Sequence, residues 1–228
     1  MALVIGLLSG VAGTLFQWLL PAQFAAVLIV AGIFLVTGIN HLDGLSDMGD
    51  GLIASGPIEK KVRAMKDVQA GAGGLLFMGM DLLFLYALTS TFAGSSMPLF
   101  VPLLVAEICA KVAMITVIAF GRSGHEGMGS YMIARAKKAH FAIGLIGAWI
   151  LVIMTIAAAG YFWSGGHPLR IVIAGILSLI SPLVVGFTII LMAKHNFGGV
   201  SGDVIGASNE IARIAALGVM GAVLWMHW

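Results

Sequence analysis

Apolar runs long enough to cross a bilayer recur along the chain near residues 3–20, 24–40, 74–93, 98–120, 140–163, 168–193 and 211–228. They predict seven membrane-spanning helices. The first run, MALVIGLLSGVAGTLFQWLLP, has no basic segment ahead of it and is about as long as a bilayer is thick, so it reads as a span and not as a secretory leader. The run at 24–40 is short, and that at 211–228 carries Arg213 near its start and ends on Trp225 and Trp228, residues suited to a membrane interface. The connections are unequal: 21–23, 94–97 and 164–167 are tight turns, whereas 41–73, 121–139 and 194–210 are long and hold nearly all the polar residues.

Composition sharpens this reading. With 60% hydrophobic residues, 10% charged residues and a mean hydropathy of +1.07, the chain is an all-α, polytopic membrane bundle forming one membrane domain over 1–228, not a soluble domain. The formal charge of +2, from 12 Lys+Arg against 10 Asp+Glu, is too thin for a nucleic-acid footprint and excludes that partner. Ten of the cations (Lys60, Lys61, Arg63, Lys66, Arg122, Arg135, Lys137, Lys138, Lys194 and Arg213) fall beside the long loops, while Arg170 falls opposite and Lys111 within a span. The positive-inside rule therefore puts the long loops, and whatever chemistry they hold, on the cytoplasmic side of the cell membrane. The single cysteine, Cys109, has no partner for a disulfide and reads as a small core residue.

Carboxylates are costly at a membrane unless they meet water, cations or metal. The segment Asn40-His41-Leu42-Asp43-Gly44-Leu45-Ser46-Asp47-Met48-Gly49-Asp50-Gly51-Leu52 places three of the ten acids within eight residues. Asp43, Asp47 and Asp50 stand at i, i+4 and i+7, which on a helix gathers them within roughly a 60° arc and about 10 Å of axis. Like charges so crowded destabilise a helix unless a cation sits among them, and hard oxygen donors suit Mg²⁺ or Mn²⁺. The plain alternative is a solvated acidic helix end with Asp43 as an N-cap. Glycines at 44, 49 and 51 argue against it, because packing alone does not account for them and they leave room for a phosphate.

Glu59 to Asp67 reads as a short basic amphipathic helix, with Lys66 and Asp67 just before the flexible Ala70-Gly71-Ala72-Gly73-Gly74. A face against lipid headgroups explains the lysines; the sharper reading gives Lys66 to a phosphate and Asp67 to the metal cluster. A second polar island, Gly198-Gly199-Val200-Ser201-Gly202-Asp203-Val204-Ile205-Gly206-Ala207, has Asp203 as its one acid. It is either a turn between spans or a phosphate-binding turn ahead of the last helix.

At these islands the sequence resembles the cobalamin synthase family, the membrane-bound adenosylcobinamide-GDP ribazoletransferases. That family carries a motif of the form HLDGLADTADGL, then KD-x-x-x-G-x-x-G, then GG-x-TGD-x-x-GA. Residues 41–52, 66–74 and 198–207 match in order and spacing, with Ser46, Met48, Gly49 and Ser201 as departures that cost no acid. Members commonly carry a further polar and apolar segment ahead of the first span, which this sequence does not contain. The resemblance implies transfer of cobinamide phosphate from adenosylcobinamide-GDP to α-ribazole or its 5′-phosphate, with release of GMP. Such a transfer needs charge neutralised on the bridging and leaving oxygens. It puts Mg²⁺ or Mn²⁺ on Asp43, Asp47 and Asp50, with Asp67 and Asp203 next. Lys66, Gly71, Gly199 and Ser201 fall to the substrate phosphates, and Asp50, Asp203 or His41 to the acceptor's proton.

Elsewhere, Glu107 and Lys111 stand i, i+4 on one span and read as a mutually neutralised pair. Asp81 has no local cation and reads as part of a polar cavity beneath the metal site, and residues 121–129 read as a mobile loop or a lid. A CDP-alcohol phosphatidyltransferase would show an Asp-Gly-x-x-Ala-Arg pattern that is absent here. A transporter would place its acids at mid-membrane on broken helices, not at one edge. The sequence leaves a homo-oligomer open.

Overall fold

The computed structural model describes residues 1–162 and 168–225, so the turn expected at 164–167, Trp228 and the close of the last span lie outside the described residues. The chain forms α1 (Ala2–Leu19), α2 (Ala22–Thr37), α3 (Asn40–Ile53), α4 (Ile58–Met65), α5 (Ala72–Ala93), α6 (Phe100–Phe120), α7 (Met128–Arg135), α8 (Lys138–Phe162), α9 (Pro168–Phe197) and α10 (Gly202–Trp225), an all-α bundle. Six of these, α1, α5, α6, α8, α9 and α10, are each long and apolar enough to cross a membrane.

The short second run behaves differently. With 16 residues, α2 spans only about 24 Å, less than the hydrocarbon core. The chain then turns through 94° into α3, so the two count as a seventh span only when taken together. Gly38, at φ 70, forms the corner in a conformation that side chains disfavour. Helix α3 thus departs from α2 at nearly a right angle and carries the stripe of acids.

Helices α6 and α10 form the centre. Two thirds of the apolar window of α6 and 61% of that of α10 are buried, against 22% for α1, α5 and α8. Helix α1 lies close on α6 because it has no side chains at Gly6 and Gly10; a Cβ at Gly10 would stand 3.0 Å from the Phe100 ring. Cys109 is fully buried, and its thiol donates to the Ser178 carbonyl at 3.1 Å.

Three sequence expectations change. The last helix begins at Gly202 and not near 211, and α9 runs to Phe197. The first turns of α10 carry Ser208, Asn209, Glu210 and Arg213, all buried, so hydropathy alone hides that the helix has started. The helices expected around Asp43–Asp50 and Glu59–Asp67 are present as α3 and α4, whereas 121–139 carries a helix, α7, where a loop was expected. Segment 121–127 is also tied down. Val200 N–H donates to the Arg122 carbonyl at 2.8 Å and Gly124 N–H to the Val200 carbonyl at 3.2 Å, forming a parallel bridge between Ser123 and Val200.

Candidate active site

Helix α3 is held between α10 and α5 by backbone contact. A Cβ on Gly44 would lie 2.8 Å from the Asp203 carbonyl oxygen, and one on Gly206 would lie 3.2 Å from the His41 Cα. One turn further along α3, a Cβ on Gly49 would lie 2.8 Å from the Gly73 oxygen, and one on Gly73 would lie 2.5 Å from the Gly49 oxygen. Gly51 packs on Met65 and Phe197 in the same way. The glycines at 44, 49 and 51 thus have packing reasons, contrary to the expectation that packing could not account for them. They let three helices meet at van der Waals distance and so join two polar islands that lie far apart in sequence.

The predicted stripe is real: Asp43, Asp47 and Asp50 all fall on α3, with Asp43 exposed and the other two half-buried. Asp47 is pushed up to about 6, first by burial and then by repulsion from Asp43, Asp203 and Asp50. Asp203, from the first turn of α10, therefore shares one electrostatic patch with the three acids of α3.

The acids differ in what they already hold. Asp50 accepts the Gly71 N–H on Oδ2 and the Gly74 N–H on Oδ1, each at 2.8 Å, and so caps the start of α5. Gly71, expected at a phosphate, therefore spends its N–H on Asp50, and a side chain there would collide with that carboxylate. Asp203 Oδ2 accepts the Ser201 hydroxyl at 3.2 Å, and the Val204 N–H donates to Ser201 Oγ at 3.3 Å, so Ser201 is the N-cap of α10. Gly199 sits where a Cβ would stand 2.5 Å from the Gly124 nitrogen, in the seam with segment 121–127. Lys66 and Asp67 are exposed at the end of α4. Asp67 Oδ1 accepts the Gln69 N–H at 3.1 Å, and Asp67 is not among the acids acting on Asp47. The basic helix α4 docks through Lys61, whose ammonium donates to Asn196 Oδ1 at 2.6 Å.

Among the described residues, no three His, Cys, Asp or Glu side chains gather closely enough to hold an ion. The donor chemistry nonetheless fits a hard dication: Asp43, Asp47, Asp50 and Asp203 are carboxylates in one patch, where burial and then their mutual repulsion raise the Asp47 pKa above the usual carboxylate range.

Beneath the patch lies a network that the sequence pattern missed. Arg213 Nε donates to Glu107 Oε1 at 2.6 Å, and its Nη1 pairs with Glu210 Oε2. Asn209 Nδ2 donates to Glu210 Oε1 at 2.9 Å, and Asn209 Oδ1 accepts from Lys111 Nζ. The expected Glu107–Lys111 couple within α6 is thus replaced by pairing across to α10. The side chains of Glu107, Glu210 and Arg213 are each 1% exposed, so Arg213 compensates Glu210 within α10 and Glu107 across to α6, and solvent compensates none of them. His41 reaches this network, with Nδ1 3.9 Å from Glu210 Oε1. Its pKa is lowered to about 4, mainly by burial and then by Lys111 and Arg213, so the ring is neutral near pH 7. Glu210 and Asn209 carry no motif spacing of their own; their burial inside a span is the signal that would have found them.

Comparison with known proteins places the whole chain in a family. The family model for cobalamin-5-phosphate synthase matches residues 1–221. An adenosylcobinamide-GDP ribazoletransferase of Methanocella arvoryzae is 71% identical over 227 residues, covering 100% of this chain and 85% of that protein. One from Methanococcoides burtonii is 37% identical over 96% of this chain and 78% of its own length. One from Methanosarcina barkeri is 33% identical over 97% and 79%. No solved structure matches. On this breadth of match, the chain belongs to the cobalamin-5-phosphate synthase family.

Proposed function

We propose that the protein joins adenosylcobinamide-GDP to α-ribazole, or to α-ribazole 5′-phosphate, and releases GMP. The observation that carries this is the 71% identity, over the whole chain, to a protein named for that transfer. The acid patch supplies the matching chemistry. In the reaction the acceptor hydroxyl attacks the phosphorus on the cobinamide side of the diphosphate. The phosphoanhydride bond breaks, and GMP departs with the other phosphate.

Asp43 and Asp47, with Asp50 alongside, are proposed to hold Mg²⁺ or Mn²⁺, which when bound neutralises charge on the diphosphate oxygens. Asp50 also fixes the start of α5 against α3, which keeps the 70–74 segment beside the acids. Asp203 has Oδ2 on the Ser201 hydroxyl and Oδ1 open, and is assigned the acceptor's proton. His41 stays neutral behind it. Asp67 is left as an outer acid. The cations beside α4, α7 and the end of α9 support a cytoplasmic position for the patch.

The reaction is tested by chromatography of nucleotide and corrinoid together, on protein purified into lipid. GMP should appear one-for-one with the joined corrinoid, only with acceptor present, and should stop on chelation and resume with Mg²⁺. GMP released without acceptor would make the protein a hydrolase, and no GMP in any mixture would remove the assignment.

A further inference from the structure

Asp81 stands two turns along α5 from Gly74, about 10 Å deeper into the bundle than the Asp50 contact. It is 3% exposed, and neither carboxyl oxygen has a hydrogen-bond partner. Arg213 of α10 acts on it electrostatically but is committed to Glu107 and Glu210. A carboxyl so placed is costly unless something meets it.

Asp81 forms one wall of a groove of about 530 Å³ between α3, α5 and α10, whose other walls include Leu45, Phe77, Phe84, Ile211 and Ile214. The groove is almost wholly apolar apart from that carboxyl, and its volume is that of a small-molecule site. Its end toward α3 stops at Phe77, which lies against Gly49, the residue before Asp50, where a Cβ would stand 2.9 Å from the ring.

We propose that this groove receives the flat heteroaromatic base of the acceptor nucleoside, with the Asp81 carboxyl at the base's hydrogen-bonding edge; the identity of that nucleoside rests on the transferase reading above. Aromatic side chains at 77 and 84 suit a planar ring. A carboxyl group either donates to a ring nitrogen or accepts from a ring N–H, whereas a lipid chain offers neither. A corrin macrocycle with its amide arms is too broad for this volume, and a bicyclic base is not. The sugar and its hydroxyl would then point up the groove toward the acids, which is the direction the attack requires.

Equilibrium binding of α-ribazole, followed by the fluorescence of its base, tests this on protein in lipid nanodiscs without any turnover. Asp81→Asn keeps a hydrogen-bonding edge and should bind within about twofold of wild type, whereas Asp81→Leu should bind about tenfold more weakly. Leu76→Trp fills the groove from its lipid-facing side without touching Asp81, and should also bind about tenfold more weakly. In turnover the same two variants should raise the acceptor KM and leave the KM for adenosylcobinamide-GDP unchanged. Equal affinity in wild type, Asp81→Leu and Leu76→Trp, or binding by none of them, leaves the groove to lipid chains and overturns the inference. Asp81-dependent binding with no GMP release would sink the transferase reading and spare the groove. GMP release with an acceptor KM indifferent to both variants would do the reverse.

Discussion

Gly44 of α3 lies directly against the backbone of Asp203 of α10, at a distance that admits no side chain: a Cβ there would stand 2.8 Å from the carbonyl oxygen and 2.9 Å from the Cα. This contact puts the acid of the last island beside the acids of the first. Replacing Gly44 by Ala should push the helices apart, cost about 1–3 kcal/mol of stability, and lower turnover at least about tenfold. Thermal unfolding and GMP release, measured on the same preparation, check both parts. A stable, fully active Gly44→Ala would mean that the two islands need not touch.

The three acids of α3 should part company when each is changed to Asn in chelated, metal-free protein. Asp43→Asn and Asp47→Asn relieve repulsion and should leave the melting temperature equal or higher. Asp50→Asn keeps only one acceptor for the Gly71 and Gly74 N–H groups, and should cost about 1–3 kcal/mol. Three equal melting shifts would contradict the capping role of Asp50.

Stability should also depend on pH through Asp47. Its folded pKa of about 6 lies above its unfolded value of 3.8, so the folded state holds the proton more tightly. The stabilisation is complete below about pH 4 and is lost as pH rises toward 6. In metal-free protein, the advantage of Asp47→Asn over wild type should therefore grow from pH 4 to 7. It should reach roughly 1 kcal/mol, less than the full shift implies because Asp47 is partly open to water. The depressed His41 pKa acts in the opposite sense but is common to both proteins. A pH-independent difference would show that neither burial nor the neighbouring acids raise the Asp47 pKa.

Much of this arrangement was legible beforehand. The i, i+4, i+7 spacing of Asp43, Asp47 and Asp50 gave both the helix and its charged face, because helical geometry alone decides which side chains share a stripe. The partners of buried charges were not legible, since Glu107 meets Arg213 on another helix and not its own neighbour Lys111. The start of α10 was missed for the same reason, as its polar residues are paid for by tertiary contacts that hydropathy does not register. The motif glycines were visible as a pattern, but their function as helix contacts appears only in three dimensions.

The Arg213 network should be unforgiving. Arg213→Met leaves Glu107 and Glu210 buried without their cation and should cost about 3–5 kcal/mol. Adding Glu107→Gln to Arg213→Met should recover part of that loss, whereas strictly additive penalties in denaturant unfolding would show that the two residues act independently.

The central claim is that islands at opposite ends of the chain form a single phosphoryl-transfer site, and the most direct test is a double-mutant comparison of GMP release by Asp43→Asn, Asp203→Asn and the two together. Each single variant should stay folded and lose about a hundredfold or more in turnover, and the double should be little worse than the slower single, as expected for groups acting as one unit. Near-normal turnover in Asp203→Asn, or losses that simply multiply in the double, would contradict one shared site.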